Sequence, residues 1–360
     1  MLSFTFHRLG YGLLVVFGVI VVIFFLFNVL PGDPARMMLG QRADMASVEA
    51  INKDLGRDKP LTLQFLNYLN DLLPVSCHNT TDTKSYWFAD TEKYGRFVTL
   101  ISLGKDHALL LKAPYLRKSY QSKRDVAEIL AEGFINTMVL AMVAMLFAIV
   151  TGIAVGIACA LWKNSLFDRL SLVFSVLGMS LPSFFMAILF AWIFAYVLGD
   201  YTGLNMTGSL FSVDDFGKGE YLDLKNLLLP AITLGIRPLA VIVELTRNTL
   251  LEELSQDYIR TARAKGLGKM RVLFHHALKN AMNPVVTAIS GWMASLLAGA
   301  VFVEFIFDWK GIGVVLVNAL DKYDFPVVMG AVLFISVILI IINFVVDILY
   351  GILDPRVRIQ

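Results

Sequence analysis

The sequence predicts an all-α polytopic membrane protein with six transmembrane helices and a long segment outside the bilayer between the first two. Three observations carry this. Of the 360 residues, 57% are hydrophobic and 17% charged, against roughly 25% charged in soluble domains. Six nearly uncharged stretches, near 10–30, 134–162, 170–198, 227–246, 284–305 and 325–350, each supply the roughly 20 residues that cross a hydrocarbon core about 30 Å thick. Lysine and arginine are also shared unevenly among the short loops. With the amino terminus inside, the inner segments hold twelve of them and the short outer loops four, so both termini are expected on the cytoplasmic side.

The first stretch, 1–30, is expected to stay as a helix. It is too long for the apolar part of a signal peptide and ends in PGDP without a small-residue cleavage pattern. Residues 31–133 then lie outside, with 14 basic and 13 acidic residues, a balance suited to a small ordered domain. Within it, PLTLQFLNYLNDLLP places Leu63, Leu66, Leu69 and Leu73 close to one helical face, and Pro60 and Pro74 suit its boundaries. SVEAINKDLG also has helix-compatible spacing. HNTTDTKS reads as loop and RFVTLISL as a strand or short hairpin.

Residues 134–351 form the five-helix core and 352–360 an inner tail. Gly152, Gly156 and Ala160, and likewise Gly291, Ser295 and Gly299, recur every four residues, which lets neighbouring backbones approach closely. The inner segment 247–283 is different in kind. It holds seven basic and three acidic residues. Ser255 and Asp257 offer caps at one end, and Gly266 and Gly268 a stop at the other, which predicts two or three turns of helix apart from the spanning elements. Ile259, Ala262 and Gly266 make a narrow face of small groups between cations, suited to a protein cleft, whereas a helix lying on lipid shows larger apolar residues.

Several classes of function are disfavoured. A net charge of +2, spread over several loops, does not suit nucleic acid. Cys77 and Cys159 lie in unlike surroundings and form no disulfide framework. The five histidines are scattered, and no G-x-x-x-x-G-K-[ST] loop is present to bind a nucleotide. Arg237 and Glu244, seven residues apart on the fourth span, share a face, and ionisable groups at that depth are expected to face protein or water. This makes them candidates for lining a translocation path, with pairing to neighbouring helices as the alternative. A secondary transporter would show matching broken half-repeats, which the sequence lacks.

Residues 257–286, DYIRTARAKGLGKMRVLFHHALKNAMNPVV, resemble the coupling region of bacterial ABC importer permeases of the dipeptide, oligopeptide and nickel family. LPGDPARMMLG, LLLPAITLGIRPLAVIVELTRNTLLE and VDILYGILDPRVR agree in order along the chain. The resemblance implies the type I ABC importer permease fold and the membrane subunit of an ATP-driven importer. It implies a second permease subunit, two ABC ATPase subunits holding ATP and Mg, an extracytoplasmic solute-binding protein and a bacterial inner-membrane location, with no cofactor on this chain. It further implies that the helix carrying Tyr258, Ile259, Thr261, Ala262, Arg263, Ala264, Lys265 and Gly266 docks in an ATPase groove. Short peptides are the implied cargo, with nickel or another small solute as the alternative. Residues 75–116 have no recognisable counterpart in shorter members. Their Tyr86, Trp87, Phe88, Tyr94 and Phe97 read either as anchors for the binding protein or as the insertion's own core.

Overall fold

The computed structural model describes residues 2–28, 59–83, 85, 87–213 and 219–353. LPGDPARMMLG, SVEAINKDLG, Tyr86 and the tail beyond Leu353 lie outside the described residues. In chain order the structure contains α1 (Leu2–Asn28), α2 (Leu61–Leu72), β1 (Val75–Asn79), α3 (Thr91–Tyr94), β2 (Val98–Leu103), β3 (His107–Leu111), α4 (Val126–Leu161), α5 (Leu166–Ser180) and α6 (Ser183–Phe190). A π-helical turn, Ala191–Val197, continues α6. There follow β4 (Phe211–Val213), β5 (Glu220–Leu222), α7 (Lys225–Leu254), α8 (Asp257–Ala264), a second π-helical stretch Val272–Ala277, α9 (Leu278–Phe307), α10 (Ile312–Asp321) and α11 (Phe325–Leu353).

The fold is mostly helical and polytopic, but the expectation of an all-α chain needs correction. β3 sits between β1 and β2 in an antiparallel three-stranded sheet, and β4 pairs with β5. Four of the described helices, α1, α4, α7 and α11, are long and apolar enough to cross a bilayer, and two bent pairs bring the number to six if each is one span. The expected third span, 170–198, is one of these pairs. α5 and the helix from Ser183 meet at 114°. The cause is Pro182, which has no N–H to donate and pushes Leu181 into extended backbone at φ −79°, ψ 137°.

The described chain divides into two compact units: Gly133–Val314 with the segment from Ile338 on, and Leu2–Glu132 with Val315–Val337. In the first, α7 is the packing axis, lying against α5, α6 and α9. The expected glycine seam on α4 is real. A Cβ on Gly152 would come within 2.8 Å of Ile242, and one on Gly156 within 2.6 Å of Thr246, so only glycine allows α4 this close to α7. The second repeat behaves differently: Gly291 and Ser295 are exposed on α9.

In the second unit, α2 docks on α1 through Phe24, whose ring lies 5.0 Å from that of Phe65 and 5.9 Å from that of Tyr68. Pro60 and Leu73 bound α2, as the prolines suggest. Its orientation departs from the leucine pattern. Gln64, Asn67, Tyr68, Asp71 and Leu72 are buried, whereas Leu63 and Leu66 are exposed. The reason is a polar interior. Asp71 accepts from Lys93 Nζ at 2.9 Å and Tyr94 Oη at 2.7 Å, and its carbonyl accepts from Lys112 Nζ at 2.7 Å. Burial lowers the Lys112 pKa to about 8 against the opposing pull of Asp71. The Lys112 ammonium lies 4.5 Å from the centre of the Tyr94 ring. Of the insertion's aromatic residues, Tyr94 is buried in this network and Phe97 packs on Ala89, Ala108 and Leu110, which favours their role as internal core.

His78 is fully buried beside Tyr94, with Nε2 2.9 Å from Ser76 Oγ. Burial, then the Lys112 charge, lower its pKa below 6.5; Lys93 acts in the same sense, and Asp71 and a backbone contact with Trp87 oppose. The folded state therefore keeps the ring neutral while the unfolded chain binds a proton below about pH 6.5. The stability this contributes is fully present above that pH and is lost as the pH falls toward the folded pKa. Limited proteolysis of the whole protein is expected to cut 75–111 faster at pH 5.5 than at pH 7.5, and His78→Gln is expected to flatten that difference. An equal pH response in both proteins would contradict the assignment.

Candidate functional site

α7 ends where Ser255 turns back, its Oγ donating to Glu252 O at 2.7 Å. Gln256 occupies the cap position of α8 with no side-chain capping bond, and Asp257 pairs instead with Arg260 at 3.2 Å. The caps expected from Ser255 and Asp257 are therefore absent. At the other end, Gly266 takes φ +80° and closes the helix, its N–H donating to Arg263 O at 3.0 Å. Gly268 is not a stop. It precedes the short turn Lys269–Arg271 that begins the return toward α9.

The narrow face of α8 points the opposite way from the sequence expectation. Ile259 has no exposure and Ala262 is 7% exposed. Both join a cluster with Ala160 of α4, Leu250 of α7, Val272, Leu273 and Ala277 of the π-helical stretch, and Ala281 of α9. Small size is still the reason for the pattern, because Ala262 permits close approach, but the approach is to this chain. What α8 shows to its surroundings is Tyr258, Arg260, Thr261, Arg263, Ala264, Lys265 and Gly266. Tyr258 ties the helix down at one edge: its hydroxyl donates to Glu253 and accepts from Asn280 Nδ2 at 3.1 Å. Burial and that carboxylate raise the phenol's pKa above 10.

Arg237 and Glu244 lie on one side of α7, Arg237 exposed and Glu244 half-buried. Neither makes a hydrogen bond or an ion pair among the described residues, although the Glu244 carboxylate acts electrostatically on Arg247. The ion pair that sequence reasoning missed is one turn further on. Arg247 Nε donates to Asp168 Oδ1 at 2.5 Å and its Nη2 to Asp168 Oδ2 at 2.8 Å, a bidentate bridge from α7 to the start of α5. Asp168 is 1% exposed. It also accepts from Asn164 N at 2.9 Å, while Ser165 Oγ caps the Asp168 N–H at 3.2 Å. The S-x-x-D spacing at 165–168 was the available signal. Among the described residues, no group of three or more His, Cys, Asp or Glu side chains is placed to hold a metal ion.

The cluster pins a short basic helix onto three long helices, and comparison with known proteins identifies the family. Residues 152–359 match the family described as binding-protein-dependent transport system inner membrane component, and residues 1–85 match that family's N-terminal region. The chain belongs to this family of inner-membrane transport components. The di/tripeptide transport system permease protein DppB of Pseudomonas aeruginosa is 37% identical over 379 aligned residues, covering 100% of both chains. The dipeptide permease protein DppB of Escherichia coli K12 is 36% identical, covering 99% of each. The glutathione transport system permease protein GsiC of Salmonella typhimurium is 34% identical, again covering 99% of each. The α8 region and the whole of α7 fall inside the main family match. Residues 86–151, which include most of the insertion, fall between the two family matches.

The packing of α8 has a direct consequence for mutation. Ala262→Glu places a carboxylate in a closed apolar cluster and is expected to cost at least about 2 kcal/mol of the permease's own stability. Ala264→Glu, on the exposed side, is expected to leave stability within about 0.5 kcal/mol. Thermal unfolding of the two purified variants separates these outcomes, and equal stability would show that Ile259 and Ala262 are not packed as described.

Proposed function

We propose that this chain is one of two permease subunits of an ATP-driven importer of short peptides, with both termini in the cytoplasm and residues 31–133 outside. The single observation that carries the reading is the pinned α8. A helix anchored through Ile259 and Ala262 to α4, α7 and α9 moves only with those helices, so force applied to its exposed cationic side reaches the transmembrane bundle. ATP and Mg belong to partner ATPase subunits in this reading, and the docking surface is Tyr258, Thr261, Arg263, Ala264, Lys265 and Gly266, with Ile259 and Ala262 as its internal support. The three relatives named above transport dipeptides, tripeptides or glutathione by name, which supports a peptide cargo over nickel.

The translocation path runs, in this proposal, along the side of α7 that carries Arg237 and Glu244. An arginine at that position attracts a carboxylate and a glutamate an ammonium, the two termini of a peptide. The exposed Gly291 and Ser295 stripe on α9 offers a close-packing surface for the second permease. Residues 75–116 meet the binding protein through the outer face of the sheet, where Val75, Leu111 and Val98 lie on one rung and are all exposed, rather than through the aromatic residues.

Arg263→Glu is expected to lower ATP-driven dipeptide uptake in reconstituted vesicles at least tenfold while the permease remains as stable as wild type; unimpaired uptake would remove the docking role. Arg237→Leu and Glu244→Leu are each expected to reduce uptake of dipeptides with free termini more than uptake of end-blocked ones, and unchanged rates and preference in both would take them off the path. For orientation, Cys77 is half-exposed and Cys159 buried. A membrane-impermeant maleimide should label Cys77 in intact spheroplasts, and labelling only after lysis would reverse the topology.

A further inference from the structure

The unit built from Leu2–Glu132 and Val315–Val337 contains a cavity of about 490 Å³, within the range of small-molecule sites. Its lining is polar almost throughout. Asn67 and Asp71 come from α2, Asp90, Glu92 and Lys93 from the α3 turn, and Arg117, Lys118 and Lys123 from the loop that leads into α4. Asp71 and Lys93 satisfy each other at 2.9 Å. The five remaining charged groups do not. Asp90, Glu92, Arg117, Lys118 and Lys123 make no ion pair among the described residues, Asp90 Oδ1 accepting only from Glu92 N at 2.8 Å, so three cations of one segment and two carboxylates of another line the same cavity.

Two further features separate this cavity from an ordinary solvated cleft. Asn67 is 8% exposed, and its Oδ1 is closed off from water with no hydrogen-bond partner. A buried amide oxygen left in that state costs about 1–3 kcal/mol, which a hydrogen bond from an N–H donor offsets. The cationic segment is also held rigidly. Asp324 accepts from Ser119 Oγ at 2.5 Å and Tyr120 N at 3.1 Å, and Arg117 and Lys123 sit at φ +68° and +61°, where non-glycine residues are rare. A loop fixed in this way presents its cations at set positions, as a recognition site requires.

We propose that this cavity binds a small zwitterion of the α-amino-carboxylate type, a free amino acid or a short peptide. Its carboxylate meets Arg117, Lys118 and Lys123, its ammonium meets Asp90 and Glu92, and a rotation of the Asn67 amide, whose Oδ1 is closed off in this conformation, brings that oxygen to an N–H of the ligand. The site is separate from the path proposed on α7 and does not depend on the transport reading, because it lies within one unit and its occupancy can be read without transport.

The test is equilibrium dialysis of radiolabelled dialanine against the full transporter assembled in nanodiscs without binding protein. Saturable binding at millimolar concentration is expected, weakened at least about tenfold by Arg117→Gln and by Asn67→Leu, since a hydrogen bond to a charged group is worth about that factor. Lys118→Gln, on an exposed side chain, supplies the same answer if either of those variants fails to fold. Dialanine blocked at both ends should not compete. Free alanine competing as well as dialanine assigns the site to amino acids, and weaker competition assigns it to peptides. Absence of saturable binding, equal competition by the blocked dipeptide, or full binding in the Arg117, Asn67 and Lys118 variants would overturn the proposal. So would a result in which Arg117→Gln weakens only association of the binding protein.

Discussion

The core unit depends on one carboxylate that has no contact with solvent. Glu304, near the end of α9, is fully buried and would be prohibitive there if left unpaired. Both of its oxygens are used. Thr137 Oγ1 on α4 donates to Oε1 at 2.6 Å, and Gly313 N at the start of α10 donates to Oε2 at 2.7 Å. Thr137 in turn accepts from Ile312 N at 2.9 Å. A helix start leaves several amides without partners, and here a side chain from a different helix satisfies them. The same corner is closed by Trp309, whose Nε1 donates to Asn136 O at 3.0 Å, and by Asn136 Nδ2, which donates to Lys310 O at 2.8 Å. One acid thus lets α9 end at the left-handed Asp308 and α10 begin four residues later without leaving open backbone behind.

The Asp168–Arg247 bridge solves a related problem elsewhere in the same unit. It joins α5 to α7 next to the point where α7 gives way to α8, so the helix that carries Arg237 and Glu244 is held at this end by a charge pair and along its length by the glycine-allowed contact with α4. Removing one partner of such a pair is far more costly than the pair is favourable, because the remaining charge stays buried. α8 is then attached to a bundle that is already stiff at its junction. A short helix with eight residues has little stability of its own. Its existence here follows from the burial of Ile259, worth roughly 1.5–3 kcal/mol, and from the turn that Gly266 permits.

The second unit has buried apolar clusters where α1, α4 and α11 pack, but the region between α2 and the three-stranded sheet is polar inside. There Asp71, Lys112, Tyr94 and His78 are buried, with Lys93 reaching Asp71 from the partly exposed edge, while Leu63, Leu66 and aliphatic residues of the sheet face outward. A small sheet and one helix cannot enclose much apolar volume, and a charge network that is internally paired can replace part of it. The outward aliphatic face is then a surface that a partner is needed to cover.

Much of this was legible from residue order alone. Long uncharged runs indicated which segments are long enough to span; Gly152 and Gly156 marked a close helix contact; Pro60 and Pro74 bounded α2; and Gly266 ended α8. Each of these is a local property, set by length, by the absence of a Cβ or by backbone freedom. Orientation was not legible. The periodicity of α2 and of α8 distinguished two faces, yet on α8 the face expected to be offered is mostly hidden, and on α2 Leu63 and Leu66 of the leucine face are exposed. Periodicity reports that two sides differ and says nothing about what lies opposite each side. When the neighbour is a buried acid network, as for α2, or this chain's own α7 and α9, as for α8, only the tertiary arrangement decides. The pairing of Asp168 with Arg247, 79 positions apart, and of Thr137 with Glu304, 167 apart, follows from the same limit: contacts between distant positions are created by packing.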